Sequence, residues 1–450
     1  MSRWVSLVLV FAFLSGCVKG PDTAIDSPRD IVATLERRLT PPDVSASEVT
    51  IAANPLDPQN VVAAANSGGG FGVYWTIDGG ENWTASMFTA ANVDPVAERQ
   101  GRFLGLSDPA LAFAPDGTLY MAGLAYLPTS SVFVAKSTDG GNSWEEVNLV
   151  HQSDVAASFN DKEWIGVSPK GTLVVAWQKE PAMDSLRGVD GLGIDADIGD
   201  IVVSRSTDEG RTWSLVPTKI SRGLHNNGTQ VQFTPDGRGH LLWVNYEEST
   251  LDYARSEDDG MTWSEPHAIV KVDMSGPLPR FSNMHTLPGF AVSPTGDMLA
   301  AVWHDDRNGD MDIYSVLSSD GGATWTNAIR VNDDPIGNGA HQLYPWITID
   351  PVGRVHATFY DSREDTYPRF RYYIATANAS DETFGPSTPA STVLFTAFSA
   401  GPGGAANESR QLGHYTGVTS SSLGIFPAWA DGRDRSAAIY AARLPLPSDE

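Results

Sequence analysis

Three short segments repeat one pairing of side chains: Asp305-Asp306-Arg307, Asp361-Ser362-Arg363 and Asp431-Gly432-Arg433. Arginine presents a planar fork of N–H donors that matches a carboxylate or phosphate. Arg307, Arg363 and Arg433 side by side would clamp an anionic ligand. The same spacing lets each arginine pair with its own aspartate and merely fix a loop, so two readings stand. Histidines recur in step with them: His225, His285, His341 and His414 each fall at or just before the first strand of a unit. Tyr344 and Tyr415 lie close by, and Asp161, Lys162 and Glu163 occupy the corresponding link earlier in the chain. His285, His341 and His414 are candidates for binding substrate, and Asp161 is a candidate catalytic carboxylate. No two histidines have the close spacing of metal ligands, which argues against zinc.

Alternating oxygen ligands suit calcium, and Asp306, Asn308, Asp310 and Asp312 alternate in this way. The sharp glycine and distant glutamate of an EF-hand loop are missing. Solvated acidic loops are the alternative. No cofactor is required, and calcium is the one the pattern allows.

Five copies of S/T-x-D-x-G-x-x-W position these residues: Thr76 to Trp83, Ser137 to Trp144, Ser206 to Trp213, Ser256 to Trp263 and Ser318 to Trp325. Successive tryptophans lie 50 to 69 residues apart, a period that means a propeller or a solenoid. In each copy the Asp and Ser/Thr oxygens can accept backbone N–H groups inside a tight turn. The glycine can take positive φ. Asp78, Asp139, Asp208, Asp258 and Asp320 are therefore fold residues and not catalysts. Around each box the sequence reads as short strands with Gly and Pro turns, such as Ala114-Pro115-Asp116-Gly117. Two further units, Tyr344 to Thr392 and Gly413 to Leu444, lack a clean box. The expected fold is an all-β propeller of four-stranded antiparallel blades, with seven blades favoured over six.

Hairpin order separates two rims. The turns between strands one and two share a rim with the Asp boxes, where loops are short and repetitive. The opposite rim holds the links between blades, which are long and irregular, and binding usually lives on such loops. The Asp-Arg segments and the histidines all belong to that second rim.

The chain opens with Arg3 and an apolar run from Val5 to Phe13, too short to span a bilayer. Leu14-Ser15-Gly16-Cys17 then has the form of a bacterial lipobox. That form implies a signal peptide at 1–16, acylation of Cys17, a lipid-anchored linker at 17–46 and a propeller at 47–447. Several acyl chains hold a protein stably on a membrane. Cys17 is the sole cysteine, so the propeller must be held by its core. With 30 basic and 55 acidic side chains the formal charge is −25, which excludes a nucleic-acid face.

The boxes, with Trp303-His304-Asp305-Asp306-Arg307 ahead of one of them, resemble the bacterial sialidase and BNR-repeat superfamily over nearly all of the chain after residue 46. Asp161-Lys162-Glu163-Trp164-Ile165 and Gly413-His414-Tyr415-Thr416-Gly417 resemble secreted bacterial proteins labelled exo-α-sialidase by similarity. The resemblance implies an arginine triad, a tyrosine nucleophile with a glutamate beside it, and an acid/base aspartate. Tyr415 stands where that nucleophile would, and Arg307 where one triad arginine would. Elsewhere the chain departs. Glu48-Val49-Thr50-Ile51 replaces the Arg-Ile-Pro motif, Pro288 to Ser293 holds no glutamate, and Asn66 to Gly70 holds no aspartate. Two functions are expected from this: an exo-glycosidase or glycan-recognising lipoprotein of the bacterial envelope, monomeric, working on the rim opposite the boxes; or a non-catalytic scaffold that binds protein.

Overall fold

Six repeats fold into antiparallel sheets whose first four strands follow chain order, the seventh sheet takes its fourth strand from far away in the chain, and the seven sheets form a propeller. The computed structural model describes residues 35–447 except 94–102, 127–128, 155–157, 182–197, 274–286, 366–367, 379–382, 397–411 and 435. The innermost strands are Ala46–Ala53, Gly105–Phe113, Ser158–Val167, Asn226–Phe233, Gly289–Val292, Gln342–Ile349 and Gly417–Ser421. Second strands are sandwiched between neighbouring blades and read as nearly unbroken apolar runs. Trp177, Trp243, Trp303 and Trp429 sit at matching places in four of them, fully buried.

The boxes do what their chemistry allows. In the first, Thr76 Oγ1 donates to Asp78 at 2.7 Å, while the Gly80 and Asn82 N–H groups donate back to Thr76 and Asp78. The same bonds recur around Asp139, Asp208, Asp258 and Asp320. These bonds hold the Asp78, Asp208 and Asp320 carboxyls at about 2, below the usual carboxylate range.

The last blade corrects the domain boundary expected from the sequence. Its own segment supplies three strands, and the fourth is Leu35–Arg38, paired antiparallel to Ala438–Arg443. Those four residues lie within the stretch read as linker. They are short and largely polar, so they carry no strand pattern. Without them Ala438–Arg443 would be an open edge, and they join the two ends of the ring instead.

Candidate active site

The site begins with an irregularity shared by the inner strands. Blades 1, 2, 3, 4 and 6 each carry a register slip near the start of that strand: Ser47/Val49, Ser107/Ala110, Asp161/Trp164, Asn227/Gln230 and Leu343/Trp346. At each slip one residue has a left-handed backbone: Glu48 (φ 58), Asp108 (φ 60), Lys162 (φ 47), Gly228 (φ 66) and Tyr344 (φ 48). Four of the five have a Cβ, for which this conformation is costly. Bulges re-aim side chains and are often found next to active sites. Here they turn Glu48, Asp108 and Lys162 from three successive blades into one cavity.

The cavity measures about 670 Å³, within the range that takes a small ligand. Its wall also includes Asn66, Ser107, Tyr126, Asp161, Asn227, Leu287, His414 and Tyr415. All sit at strand ends away from the boxes, so it opens on the rim of the inter-blade links. Aromatic rings pack beside its Lys162 and Tyr415 wall. Trp164 and Trp346 lie 5.3 Å apart between centroids, and Trp346 and Tyr415 lie 6.0 Å apart, all three nearly buried. Trp164 and Trp346 belong to blades 3 and 6, so they meet across the centre of the ring.

Glu48 and Asp108 form its chemical centre. The Asn66 Nδ2 amide donates to both, at 2.6 and 3.3 Å, and so holds the two carboxyls side by side. The Asp108 N–H donates to Asn66 Oδ1 at 2.8 Å. The His414 main-chain N–H donates to Glu48, and His414 Nδ1 lies 3.1 Å from the same oxygen. Burial alone would raise Glu48, but the hydrogen bond and charge of His414, with Lys162, hold its carboxyl far down. Burial pushes Asp108 up to about 8, helped by the charges of Glu48 and Asp161. The two carboxyls therefore divide one proton unequally, with Asp108 carrying it. His414 is raised because Glu48 outweighs its burial.

Beneath this pair the charges are more deeply enclosed. Lys162 Nζ, only 4 % exposed as a residue, stands 3.5 Å above the Tyr415 ring and 5.3 Å from that of Trp164. Burial, then Asp108, keep the Glu163 carboxyl protonated well above the carboxylate range. Burial, then the charges of Asp108 and Glu48, push the Tyr415 phenol well up. Its hydroxyl has no hydrogen-bond partner among the described residues.

Among solved structures the chain is similar to the NanB sialidase from Streptococcus pneumoniae, at 10 % identity over 86 % of this chain and 83 % of that one, TM-score 0.49. It is also similar to the GH93 α-L-arabinofuranosidase of Fusarium graminearum, at 11 % identity over 91 % and 97 %, TM-score 0.48. A protein of unknown function from Dyadobacter fermentans matches at 16 % identity over 76 % and 97 %, TM-score 0.48. No family model and no curated protein matches the chain. Similarity at this level says nothing about what the cavity binds.

Of the residues singled out from the sequence, Tyr415, Asp161 and His414 meet in the cavity. The arginines do not join them. Arg307, Arg363 and Arg433 each turn back onto Asp305, Asp361 and Asp431, which are fully buried. Each guanidinium then covers the tyrosine of the next strand, Tyr314, Tyr373 or Tyr440, at 4.2, 4.8 and 4.0 Å. Arg433 also pairs with Glu36 and Arg363 with Asp333. The anion clamp is thus replaced by three loop-fixing corners. A buried carboxylate two residues away is a better partner for the fork than a ligand reached through water.

His341 also stands apart: its Nδ1 accepts the Met311 N–H, and its own N–H donates to Ser362 Oγ. His285 and Cys17 lie outside the described residues. The alternating acids are held largely by protein groups. Arg330 and Asn332 donate to one oxygen of Asp312 and Asn308 to the other, while Asp310 accepts the Gly339 N–H. Asp306 is buried. Among the described residues no group of three or more His, Cys, Asp or Glu side chains is placed to hold a metal ion.

Glu48 and Asp108 were not foreseen as site residues. The available signal was a Ser or Asp followed by a charged residue at the head of three successive inner strands: Ser47-Glu48, Ser107-Asp108 and Asp161-Lys162. A strand pattern alone does not mark the second member of each pair as the one a bulge turns inward.

Proposed function

We propose that the protein is an exo-acting glycoside hydrolase that takes a terminal, uncharged sugar into the cavity, a well at the propeller centre. Asp108 is the proton donor, Asp161 on the next blade is the second carboxylate, and Glu48 fixes the proton on Asp108. The observation that carries this reading is the Glu48–Asp108 pair, two carboxyls bridged by Asn66 in a ligand-sized cavity that also holds Asp161.

A protonated Asp108 can deliver its proton to a glycosidic oxygen as the bond breaks. The positive charge that grows on the sugar ring is then met by carboxylate. Glu48, held ionised by His414 and tied to Asp108 through Asn66, keeps the donor oriented. Tyr415 serves as a hydroxyl donor to the sugar. Its phenol is hydrogen-bonded to no base among the described residues, which makes it a poor nucleophile.

An uncharged sugar fits better than a sialoside. The well is lined by no arginine among the described residues, His414 is paired with Glu48, and the buried Lys162 ammonium lies against the Tyr415 ring with no hydrogen-bond partner among them. The meeting of Trp164 and Trp346 across the centre of the ring favours a chain end over an internal unit. Chromogenic pentosides, hexosides and a sialoside assayed with the folded protein test the proposal. Turnover of an uncharged glycoside is expected, falling roughly a thousandfold in kcat/KM in Asp108→Asn. No turnover on any substrate would sink it.

A second reading, a module that binds glycan without cleaving it, is favoured by how fully Glu48, Asp108, Asn66 and His414 satisfy one another. It predicts equal retention of intact oligosaccharide by wild type and Asp108→Asn. We further infer export and anchoring through acyl chains on Cys17, supported by the apolar run Val5 to Phe13 and the Leu14-Ser15-Gly16-Cys17 sequence that ends it.

A further inference from the structure

The closing strand has a direction, and that direction orients the molecule. Leu35 pairs with Arg443 and Arg38 with Tyr440. Ala438–Arg443 runs away from the rim of the well, so Arg443 and Leu35 lie at the Asp-box rim. Contacts agree: Arg37 Nε donates to the Glu81 carbonyl and Arg443 to the Gly79 carbonyl, both inside the first box. The chain therefore enters the propeller from the side opposite the well. Seventeen residues separate Cys17 from Leu35, and a chain of that length spans at most about 60 Å.

The rim at this entry point also differs from the rest. Blades 1 to 5 end in boxes, each carrying an Asp held ionised on the surface. Blades 6 and 7 have none. There the rim shows Arg37, Arg354 and Arg443, with Val352 (65 % exposed) and Leu423 (41 % exposed) at the turn tips; Ile77, Leu215 and Met261 are exposed on the boxed blades too, so the missing carboxylate is what sets this sector apart. Cations and single apolar side chains suit the headgroup region of a phospholipid bilayer, whereas a ring of carboxylates does not.

We infer that the Asp-box rim faces the membrane, with the boxless sector of blades 6 and 7 nearest the lipid, and that the well faces outward. The inference rests on acylation of Cys17 and is independent of what the well does. Every substrate would then approach from the side away from the bilayer, unobstructed by the anchor.

Site-directed fluorescence tests this on the lipidated full chain in vesicles of phosphatidylethanolamine and phosphatidylglycerol carrying nitroxide headgroups. Acylated Cys17 leaves a single introduced thiol to label. Val352→Cys and Leu423→Cys report the box rim. Leu104→Cys reports the rim of the well, where Leu104 is 75 % exposed and its N–H donates to the Tyr126 carbonyl. All three are exposed, and unchanged melting temperatures would confirm that they fold. Quenching at 352 and 423 is expected to exceed that at 104 severalfold. Equal quenching, or stronger quenching at 104, overturns the orientation while leaving the anchor intact. A chain that fails to float with the vesicles overturns the anchor and the orientation together.

Discussion

Asp108 is held in a state an aspartate seldom adopts: left-handed at φ 60, 9 % exposed and beside another carboxyl. The sign of its effect on stability follows from its upward shift to about 8. Below the ordinary carboxylate range both the folded and the unfolded chain carry the proton, and pH has no effect through this group. Between there and about 8 the unfolded chain releases a proton that the folded chain keeps, so the native state loses ground as pH rises. The loss is at most about 1.4 kcal/mol per pH unit. Asp108→Asn removes it. Its melting temperature should exceed that of wild type by little at pH 4 and by several degrees at pH 8.5, while the proposed glycosidase activity falls roughly a thousandfold; thermal scans across that range decide. A constant difference would mean that Asp108 ionises normally in the folded protein. The backbone predicts a second contrast: Asp108→Gly should be more stable than Asp108→Ala by about 1 kcal/mol, because only glycine takes φ 60 without strain.

The repeated Asp-x-Arg corner shows how one motif can be read two ways until its geometry is known. Asp431 is fully buried, receives the Trp429 indole N–H and is neutralised by Arg433. Removing the arginine strands that charge. Arg433→Ala should therefore cost roughly 3 kcal/mol in urea unfolding, with KM and kcat of the folded fraction unchanged. A substrate-binding arginine would show the reverse, a large rise in KM with little loss of stability. Strands and boxes were legible because each leaves a local mark: a Ser and an Asp that close a turn, a glycine at positive φ, an apolar second strand. The corners were half legible, since spacing shows that Arg433 can reach Asp431 but not that Asp431 is buried. The well was the least legible part. Glu48, Asp108 and Lys162 come together through bulges that add one residue to an inner strand, and nothing in a period of two announces an extra residue.

At the scale of the whole ring, closure depends on the stretch most easily taken for a tether. Leu35–Arg38 gives blade 7 its outer strand, and its contacts reach beyond the pairing itself. Glu36 accepts from Thr392 in blade 6 and pairs with Arg433. Arg38 pairs with Asp434. Leu39 is buried, and Thr40 Oγ1 accepts the Ile439 N–H while lying 3.3 Å from the Tyr74 hydroxyl of blade 1. Blades 6, 7 and 1 are thus tied by six consecutive residues from one end of the chain. A chain starting at Leu35 should melt with the same midpoint as the chain from Cys17 without its lipid. One starting at Pro41 loses the strand, the buried Leu39 and the Thr40 bonds, and should melt roughly 5–10 °C lower. Differential scanning calorimetry of the two truncations separates the alternatives. Equal midpoints would mean that the ring is closed by side-chain packing between the inner strands of blades 1 and 7, and that the outer strand only covers an edge.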